Sequence, residues 1–226
     1  MKYYPVFLNL NGKQALVVGG GIVAERKIEI LLDCGALIDI ISKKLTDKLN
    51  EFLESGKICR IGESFKENHL DNVFLVIAAT NDERLNHKIS NIAQTRGLLV
   101  NAVDQPADCN FIVPSILRKG DLLIAISTSG KSPSLAKKIR RDLEPQFGDE
   151  YASFLTLMGR IRDKILAKKL PQNENSQIFH EIANSDTLKA LSHNDWEQVE
   201  SILKRILPRD LITDDFLKGL IHRRGE

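Results

Sequence analysis

The sequence predicts an α/β fold, in which a doubly wound parallel sheet is followed by a small α/β segment and a helical C-terminal region. Two observations predict the sheet. Apolar runs alternate with amphipathic runs through the first half, as expected for parallel strands joined by helices. The first strong apolar run, Ala15–Val18, leads into three glycines and then into a helical pattern. A third observation predicts the helical region, because only helical patterns occur from Gly148 onward.

Six strands and three helices are predicted in the first half. Asn11-Gly12 is a strong turn signal between the first two strands. The run Val73–Ala79 is apolar throughout, as expected for a strand covered on both faces of the sheet. The predicted strands are Tyr4–Leu10, Ala15–Val18, Leu37–Ile41, Ile58–Ile61, Val73–Ala79 and Leu98–Val103. The predicted helices, each followed by a glycine suited to a C-terminal cap, are Val23–Asp33, Thr46–Ser55 and Asp82–Arg96.

The pattern changes after Asp104. Two apolar runs flank Arg118-Lys119-Gly120-Asp121, which predicts an antiparallel hairpin of Phe111–Leu117 and Leu122–Ser127. Ser132 and Pro133 then suit the start of a helix over Ser134–Leu143. The later helices are predicted over Tyr151–Lys168, Gln177–Asn184, Asp195–Ile206 and Asp214–His222, with a linker at Pro171–Asn175. These patterns divide the chain into residues 1–110, 111–147 and 148–226.

The composition excludes several classes of protein. The chain has 226 residues, of which 42% are hydrophobic and 27% charged, and its net charge of +2 does not indicate a nucleic-acid partner. No apolar run approaches the length of about 20 residues that a membrane helix needs, and the N-terminus lacks a signal-peptide pattern. Three cysteines without a C-x-x-C pair, and five scattered histidines, predict neither disulfides nor a dedicated metal site. We therefore expect a cytoplasmic protein without a membrane segment.

The glycines after Val18 suggest a nucleotide site. Gly19, Gly21 and Ala24 fit the G-x-G-x-x-G/A fingerprint of Rossmann-like dinucleotide-binding domains. The first glycine allows a sharp turn, the second lets a pyrophosphate approach the backbone, and the alanine lets helix and strand pack closely. Free N–H groups at the start of the helix then face the phosphates. A structural turn without a nucleotide is the alternative interpretation. The predicted cofactor-binding residues here are Gly19, Gly20, Gly21, Ile22 and Val23.

The ends of the predicted strands are expected to face one crevice, because ligands on doubly wound sheets lie beyond the carboxyl ends of the strands. Besides the glycines, these ends carry Ser42–Lys44, Thr80–Asn81 and Asp104. Asp39 lies about 20 residues after Gly19, the customary interval for a ribose-binding carboxylate, but inside its strand. The ribose would therefore meet Ser42 and Lys43. The two lysines would tolerate the extra phosphate of NADP or form a solvated basic turn, so their charge does not decide the cofactor.

Asp104 is a candidate general base, since it follows a buried strand, where partial desolvation raises the basicity of a carboxylate. A loop aspartate that caps a turn is the alternative, and Asp108 is a competing candidate. A second candidate segment is Ser127–Lys131, which is rich in hydroxyl groups and precedes a helix, as in anion-binding loops. The helix carries Lys137, Lys138, Arg140 and Arg141, which form either a solvated basic face or a site for a substrate with several carboxylates.

Six motifs occur in order over residues 1 to about 145. They are Tyr4-Pro5-Val6-Phe7, Val17-Val18-Gly19-Gly20-Gly21-x-Val23-Ala24-x-Arg26-Lys27, Ala78-Ala79-Thr80-Asn81-Asp82, Asn101-x-x-Asp104, Phe111-Ile112-x-Pro114-Ser115 and Ser127-Thr128-Ser129-Gly130-x-Ser132-Pro133. As a set they resemble the precorrin-2 dehydrogenase / sirohydrochlorin ferrochelatase family, which is also found as the N-terminal module of siroheme synthase. The helical tail carries no such motif, and we expect no methyltransferase activity from these 226 residues.

The resemblance implies NAD-dependent oxidation of precorrin-2 to sirohydrochlorin, with NAD preferred to NADP on this ground alone. It implies that Asp104 is catalytic and that the ribose side of the cofactor meets Lys43, Lys44 and Thr80. It also implies a homodimer formed through the hairpin and its helix. Insertion of Fe2+ or cobalt into the product stays open, because members of the family differ in this activity. The implied substrate-side residues are Asn101, Ser127, Ser129, Gly130 and Lys131.

Two other functions stay open. Doubly wound domains also serve as non-catalytic dinucleotide sensors, in which Asp104 would have no chemical role. A dehydrogenase that acts on another anionic substrate would use the same glycine turn and the same basic residues.

Overall fold

The computed structural model describes residues 2–211, which form two compact units, one ending at Val113 and the other beginning at Pro114. The helix predicted over Asp214–His222 lies outside the described residues. A boundary after residue 147 stays a prediction. No helix of the described part is long and apolar enough to cross a membrane.

The first unit contains a five-stranded parallel sheet among the described residues. Its strands, in chain order, are β1 (Gln14–Val18), β2 (Leu37–Ile41), β3 (Ile58–Gly62), β4 (Leu75–Ala78) and β5 (Leu99–Ala102). Their spatial order is β3-β2-β1-β4-β5, and every neighbouring pair is parallel. The predicted doubly wound sheet is confirmed. The strand order reverses between β1 and β4, which is where ligands bind in folds of this kind.

The helices of the first unit begin and end close to the predicted residues. They are α1 (Ile22–Asp33), α2 (Asp47–Glu54) and α3 (Glu83–Thr95), with 3-10 turns at Glu67–Leu70 and Pro106–Asp108. Each α-helix is followed by a glycine with φ between +71° and +73°, as predicted. Asp82 caps α3, since its carboxylate accepts hydrogen bonds from the backbone N–H groups of Arg84 and Leu85.

The prediction of a strand over Tyr4–Leu10 is wrong. This segment has no strand pairing, and Tyr4 and Phe7 are 83% and 71% exposed. Both sides of β1 are already taken by β2 and β4, and neither β3 nor β5 pairs with this segment. Only Leu10 reaches the core, next to the predicted turn at Asn11-Gly12, where Gly12 N–H donates to the carbonyl of Gly35 over 2.8 Å.

The core of the first unit lies on both faces of the sheet. Successive residues of β1 point to opposite faces: Ala15 and Val17 join one apolar cluster, and Leu16 and Val18 join the other. All four residues of β4 are buried. Coverage of both faces explains why these strands are apolar throughout and do not alternate with polar residues.

The second unit begins with a hairpin and continues with helices. The strands β6 (Ser115–Lys119) and β7 (Leu122–Ile126) pair antiparallel, as predicted. The helices are α4 (Pro133–Leu143), α5 (Asp149–Ala167), α6 (Gln172–Ala183), α7 (Thr187–Ser192) and α8 (Trp196–Ile206), with 3-10 turns at Glu144–Gln146 and Arg209–Leu211. Buried apolar residues of α5 to α8 form the core of this unit.

Two features of the helical region differ from the prediction. The segment Pro171–Asn175 is not a linker, because α6 begins at Gln172, with Pro171 at its N-cap. Its polar first turn faces solvent, and the apolar residues that pack inward come later, around Ile182. The short helix α7 was not predicted, although it buries Thr187, Ala190 and Leu191.

The burial of β2 generates a stability prediction. Ile40 is fully buried, whereas Leu37 on the same strand is 56% exposed. We expect Ile40→Ala to lower the free energy of unfolding by about 2–5 kcal/mol, because it removes buried methyl groups and leaves a cavity. The matched variant Leu37→Ala is expected to lower it by less than about 1 kcal/mol. Urea unfolding of the full chain measures both values, and equal losses would contradict the assigned burial.

Candidate functional site

The turn between β1 and α1 depends on two close backbone approaches. Gly19 has φ +120°, and a Cβ atom there would lie 2.2 Å from the carbonyl oxygen of Ala79, at the end of β4. A Cβ atom on Gly20 would lie 2.2 Å from the carbonyl oxygen of Lys44, beyond β2. Both positions therefore require glycine for packing. The prediction assigned the sharp turn to Gly19 but missed the packing role of Gly20.

Gly21 differs from these two glycines, because a Cβ atom there would meet nothing within 4 Å. Gly21 is the N-cap of α1 and provides no side-chain cap, so the first N–H groups of the helix lack partners within it. Ile22 and Val23 are exposed, while Ala24 is fully buried, as close packing of helix and strand requires. This open N-terminus at the sheet's reversal point fits a pyrophosphate group.

The turn after β2 is braced by a residue that the sequence analysis missed. The Arg60 side chain of β3 donates to the carbonyl oxygens of Ser42 over 2.9 Å and of Lys43 over 3.1 Å. The Ser42 hydroxyl donates to the carbonyl of Lys44 over 2.6 Å. Lys43 and Lys44 are exposed and free to meet a ligand. The turn is therefore rigid, and it presents two cations near the glycine turn.

Asp39 lies inside β2, as expected, and not at its tip. Partial burial raises the pKa of its carboxyl group, an effect that a hydrogen bond with the Gln14 side chain partly offsets. Asp39 is paired in register with Leu16 of β1 and Cys59 of β3, away from the strand ends.

Thr80 lies beyond β4, but its polar groups already have partners. Its hydroxyl donates to Asn86 Oδ1 over 2.7 Å, and the carbonyl oxygen of Asp82 lies 3.1 Å from the same hydroxyl oxygen. Its backbone N–H also donates to Asn86 Oδ1, and Asn86 Nδ2 donates back to the carbonyl of Thr80 over 2.9 Å. Asn86 is almost fully buried. Thr80 thus orders the loop before α3, and its contact with the ribose stays a prediction.

Asp104 occupies an unusual backbone position. The N–H of Gln105 donates to the carbonyl of Ala102 over 3.4 Å, which closes a turn whose third residue is Asp104. Asp104 has φ +59°, and a β-turn with a positive φ at its third residue normally has glycine there. Its side chain is exposed and makes no hydrogen bond or ion pair with another described residue. A strained residue with an uncommitted carboxylate is typical of functional sites.

Asp108, the competing candidate, is in a different environment. It is buried, and its Oδ1 lies 2.8 Å from His87 Nδ1 of α3. The other ring nitrogen of His87 lies 2.9 Å from Asn91 Nδ2, so both nitrogens have partners. Ser90, also on α3 and fully buried, donates its hydroxyl to the carbonyl of Asp108. The spacing of His87 and Ser90 places both on one face of α3, but the sequence contains no signal that marks Asp108 as their partner.

Asn101 and Cys109 join the end of β5 to the segment that follows it. Asn101 Nδ2 donates to the carbonyl of Phe111 over 3.3 Å and lies 3.5 Å from Cys109 Sγ.

Burial raises the pKa of the Cys109 thiol. Burial also lowers the pKa of the Lys27 ammonium on α1, and the nearby Cys109 opposes this effect.

The predicted anion loop lies in the second unit, between β7 and α4. Ser129 and Gly130 have φ of +54° and +81°, and Lys131 N–H donates to the carbonyl of Thr128 over 3.0 Å. Ser127, Ser129, Gly130 and Lys131 are all exposed. The Ser127 hydroxyl accepts from the N–H of Ser129 over 3.0 Å. Ser132 caps α4, as predicted, by accepting from the N–H of Leu135.

A basic groove of about 470 Å³ lies between β6 and α4 in the same unit. Arg140 forms an ion pair with Glu144 over 2.8 Å. Lys137 and Arg141 have no ion pair with another described residue, so their charges are available to a ligand. Lys138, on the same helix, is exposed but does not line the groove. The lining residues are Ser115, Ile116, Ser134, Lys137, Arg140 and Arg141.

The glycine turn at the reversal point of the sheet is typical of dinucleotide-binding domains, which is the class that the fold of the first unit indicates. Residues 6–115 match a family model described as putative NAD(P)-binding. Residues 119–146 match a second model, described as sirohaem biosynthesis protein central. Within the described residues, no group of three or more His, Cys, Asp or Glu side chains could hold a metal ion.

The most informative relatives are siroheme synthases. The enzyme of Actinobacillus succinogenes is 36% identical over 210 residues, which are 93% of this chain and 44% of that protein. The enzyme of Nitrosococcus oceani is 41% identical over 165 residues, 73% of this chain and 35% of that protein. This chain therefore spans less than half the length of these relatives.

A solved structure resembles most of the chain. SirC, a precorrin-2 dehydrogenase, superimposes with a TM-score of 0.74 at 29% identity, covering 88% of this chain and 100% of SirC. Together with the two family models, these relatives confirm the resemblance predicted from the motifs. The chain is therefore similar to the precorrin-2 dehydrogenase / sirohydrochlorin ferrochelatase family and to part of siroheme synthase.

The open space beside Gly21 generates a prediction that separates a ligand site from a structural turn. Gly21→Ala is expected to leave the free energy of unfolding within about 0.5 kcal/mol of the wild type, because the new methyl group meets no protein atom. It is expected to weaken NAD+ binding at least about tenfold, because the methyl group occupies the path of the pyrophosphate. Isothermal titration calorimetry and urea unfolding measure the two quantities.

The matched control is Gly159→Ala in α5, where a Cβ atom also meets nothing within 4 Å. The control should bind NAD+ like the wild type. Unchanged NAD+ affinity in Gly21→Ala would assign the turn a purely structural role.

Proposed function

We propose that this chain is an NAD-dependent precorrin-2 dehydrogenase, which oxidises precorrin-2 to sirohydrochlorin. The observation that carries the proposal is Asp104, an exposed and uncommitted carboxylate in a left-handed backbone position at the end of β5. β5 lies two strands from the glycine turn of β1. Neighbouring strands are about 4.8 Å apart, so the two features are about 10 Å apart across the sheet, within the span of one dinucleotide. The name of SirC supports the choice of substrate.

The reaction removes two electrons and two protons from precorrin-2, as a hydride and a proton. A bound NAD+ would supply the hydride acceptor. The Asp104 carboxylate accepts the proton as the hydride leaves, and then releases it to solvent. The exposed position of Asp104 suits this second step. Asp108 does not suit the role, since its carboxylate is buried against His87.

The first unit would hold the cofactor. The N–H groups at the start of α1 receive the pyrophosphate, next to Gly21, and the turn Ser42–Lys44 receives the adenosine ribose. Lys43 and Lys44 would also accept a 2′-phosphate, so the preference for NAD over NADP rests on the family. Binding of NAD+ and NADP+ to the same protein, compared by calorimetry, tests that preference.

The second unit would hold the carboxylates of the tetrapyrrole. The groove between β6 and α4 combines two uncommitted cations, Lys137 and Arg141, with the hydroxyl groups of Ser115 and Ser134. The loop Ser127–Lys131 of the same unit adds exposed donors, and the role of Asn101 toward the substrate stays a prediction. An anionic substrate matches this chemistry better than a neutral one.

We also propose a homodimer formed through the hairpin and α4. Exposed apolar side chains on these elements support it, namely Ile116, Leu123 and Leu135. Three free cysteines fit the reducing cytoplasm as the place of the reaction.

The role of Asp104 generates the central prediction. Asp104→Asn keeps the shape of the side chain but removes the base, so kcat for precorrin-2 oxidation is expected to fall by about 10²–10⁴-fold. The dissociation constant of NAD+ should stay within about twofold of the wild-type value, because Asp104 contributes to chemistry and not to cofactor binding. The measurement is an anaerobic assay of the purified protein with precorrin-2 and NAD+, followed by absorbance.

Asp163→Asn, an exposed aspartate on α5, is the matched control and should keep wild-type turnover. No oxidation of precorrin-2 by the wild type would overturn the proposal and favour a dinucleotide sensor or a dehydrogenase of another anionic substrate. Adding Fe2+ after the oxidation tests ferrous iron as a second substrate, against an iron-only control.

The groove generates a prediction about substrate affinity. Lys137→Ala is expected to raise KM for precorrin-2 by about threefold to fivefold, since an exposed ion pair contributes up to about 1 kcal/mol. The matched variant Lys138→Ala removes the same charge from the same helix outside the groove and should change KM less. Steady-state kinetics at low and high salt measures the effect, which screening should reduce. Equal effects of the two variants would exclude the groove as the carboxylate site.

A further inference from the structure

The turn that carries Asp104 is weakly held by its own backbone. Its closing hydrogen bond, from Gln105 N–H to the carbonyl of Ala102, is 3.4 Å long. The left-handed conformation of Asp104 is unfavourable for a residue with a Cβ atom and persists only where the surroundings impose it. Other groups must therefore impose this conformation.

Cys109 contacts both ends of this turn. Its Sγ lies 3.2 Å from the carbonyl oxygen of Ala102 and 3.3 Å from that of Gln105. The N–H of Ala102 donates to the same sulfur over 3.2 Å. The sulfur therefore bridges residues 102 and 105, with Asp104 between them. Because burial raises the pKa of the thiol, Cys109 stays protonated at neutral pH and donates its S–H to one of the two carbonyls.

Asp108 anchors the same segment to α3. Its carboxylate lies 2.8 Å from His87 Nδ1, and its carbonyl accepts from the hydroxyl of the fully buried Ser90. Its N–H donates to the carbonyl of Gln105 over 3.0 Å, so the anchor reaches the turn directly. On the other side of Cys109, the Asn110 side chain accepts from Val100 N–H over 2.8 Å and fixes the segment to β5.

We infer that Asp108 and Cys109 are positioning residues. Through their hydrogen bonds to residues 102 and 105 they fix the turn 102–105, and the turn holds the Asp104 carboxylate in place for proton transfer. This inference rests on the proposed role of Asp104. The contacts of both side chains are with protein atoms of the turn, of β5 and of α3. Two titratable side chains of the described residues lie near the pair, His87 of α3 and Lys27 of α1.

The first test separates kcat from binding. Cys109→Ala and Asp108→Ala release the turn, and a small misplacement of a catalytic group reduces turnover, so kcat should fall about 10- to 100-fold. The dissociation constant of NAD+ should stay within about twofold, because the glycine turn is untouched. The conservative variants Cys109→Ser and Asp108→Asn keep hydrogen-bonding groups and should recover part of kcat. Cys34→Ser, at an exposed cysteine, is the matched control and should keep wild-type kcat.

Wild-type kcat in both alanine variants would overturn the inference. So would an equal loss of kcat and NAD+ affinity, since that result indicates general damage to the domain. If an alanine variant does not fold, the comparison of Cys109→Ser and Asp108→Asn with Cys34→Ser decides the same point, because their kcat should lie below that of the control.

The second test does not depend on turnover. In the double variant Cys34→Ser, Cys59→Ser, the remaining thiol is Cys109. Its S–H stretching band in the infrared spectrum should lie at the lowered frequency of a thiol that donates a hydrogen bond. A band at the frequency of a non-donating thiol would overturn the inference. If the wild type fails to oxidise precorrin-2 but the band is lowered, the proposed function fails while the contact of Cys109 with the turn stands.

Discussion

The structure of the first unit depends on the close approach of three backbone segments at the reversal point of the sheet. The turn after β1 contacts the end of β4 through Gly19 and the turn after β2 through Gly20, at distances that leave no room for a Cβ atom. These contacts bring the glycine turn and the lysines after β2 to the same edge. Gly21, the proposed pyrophosphate position, differs from these two packing positions because it has open space beside it.

Most of the fold could be predicted from the sequence because its signals are local. Each of these signals depends only on residues that are close in the chain. Examples are the apolar run of β4, the glycines after each helix of the first unit, and the residues that cap α3 and α4. The errors arose where a local pattern depends on a distant partner. The segment Tyr4–Leu10 has the composition of a strand, but both sides of β1 are occupied. Pro171–Asn175 has the composition of a linker, but it is the polar first turn of a helix that packs through later residues.

In the candidate site too, features with a local sequence signal could be predicted, and features that depend on distant residues could not. Asp104 and the glycine turn could be proposed as site residues from spacing and from the family motifs, because both directly follow strands. Arg60, His87 and Ser90 could not, because each acts on a loop 17 to 21 residues away in the chain, across the sheet or across a helix. The distinction between Asp104 and Asp108 likewise needed the structure, since burial and a histidine partner separate two carboxylates that the sequence places four residues apart.

The left-handed position of Asp104 has a consequence for protein engineering. A glycine at this position would relieve the backbone and make the folded chain more stable, as non-glycine residues in such turns are costly. A screen that selects variants for heat resistance alone would therefore favour loss of the carboxylate. In the proposed enzyme, the residue that best suits the turn and the residue that best suits the reaction are different, and this chain carries the one that suits the reaction.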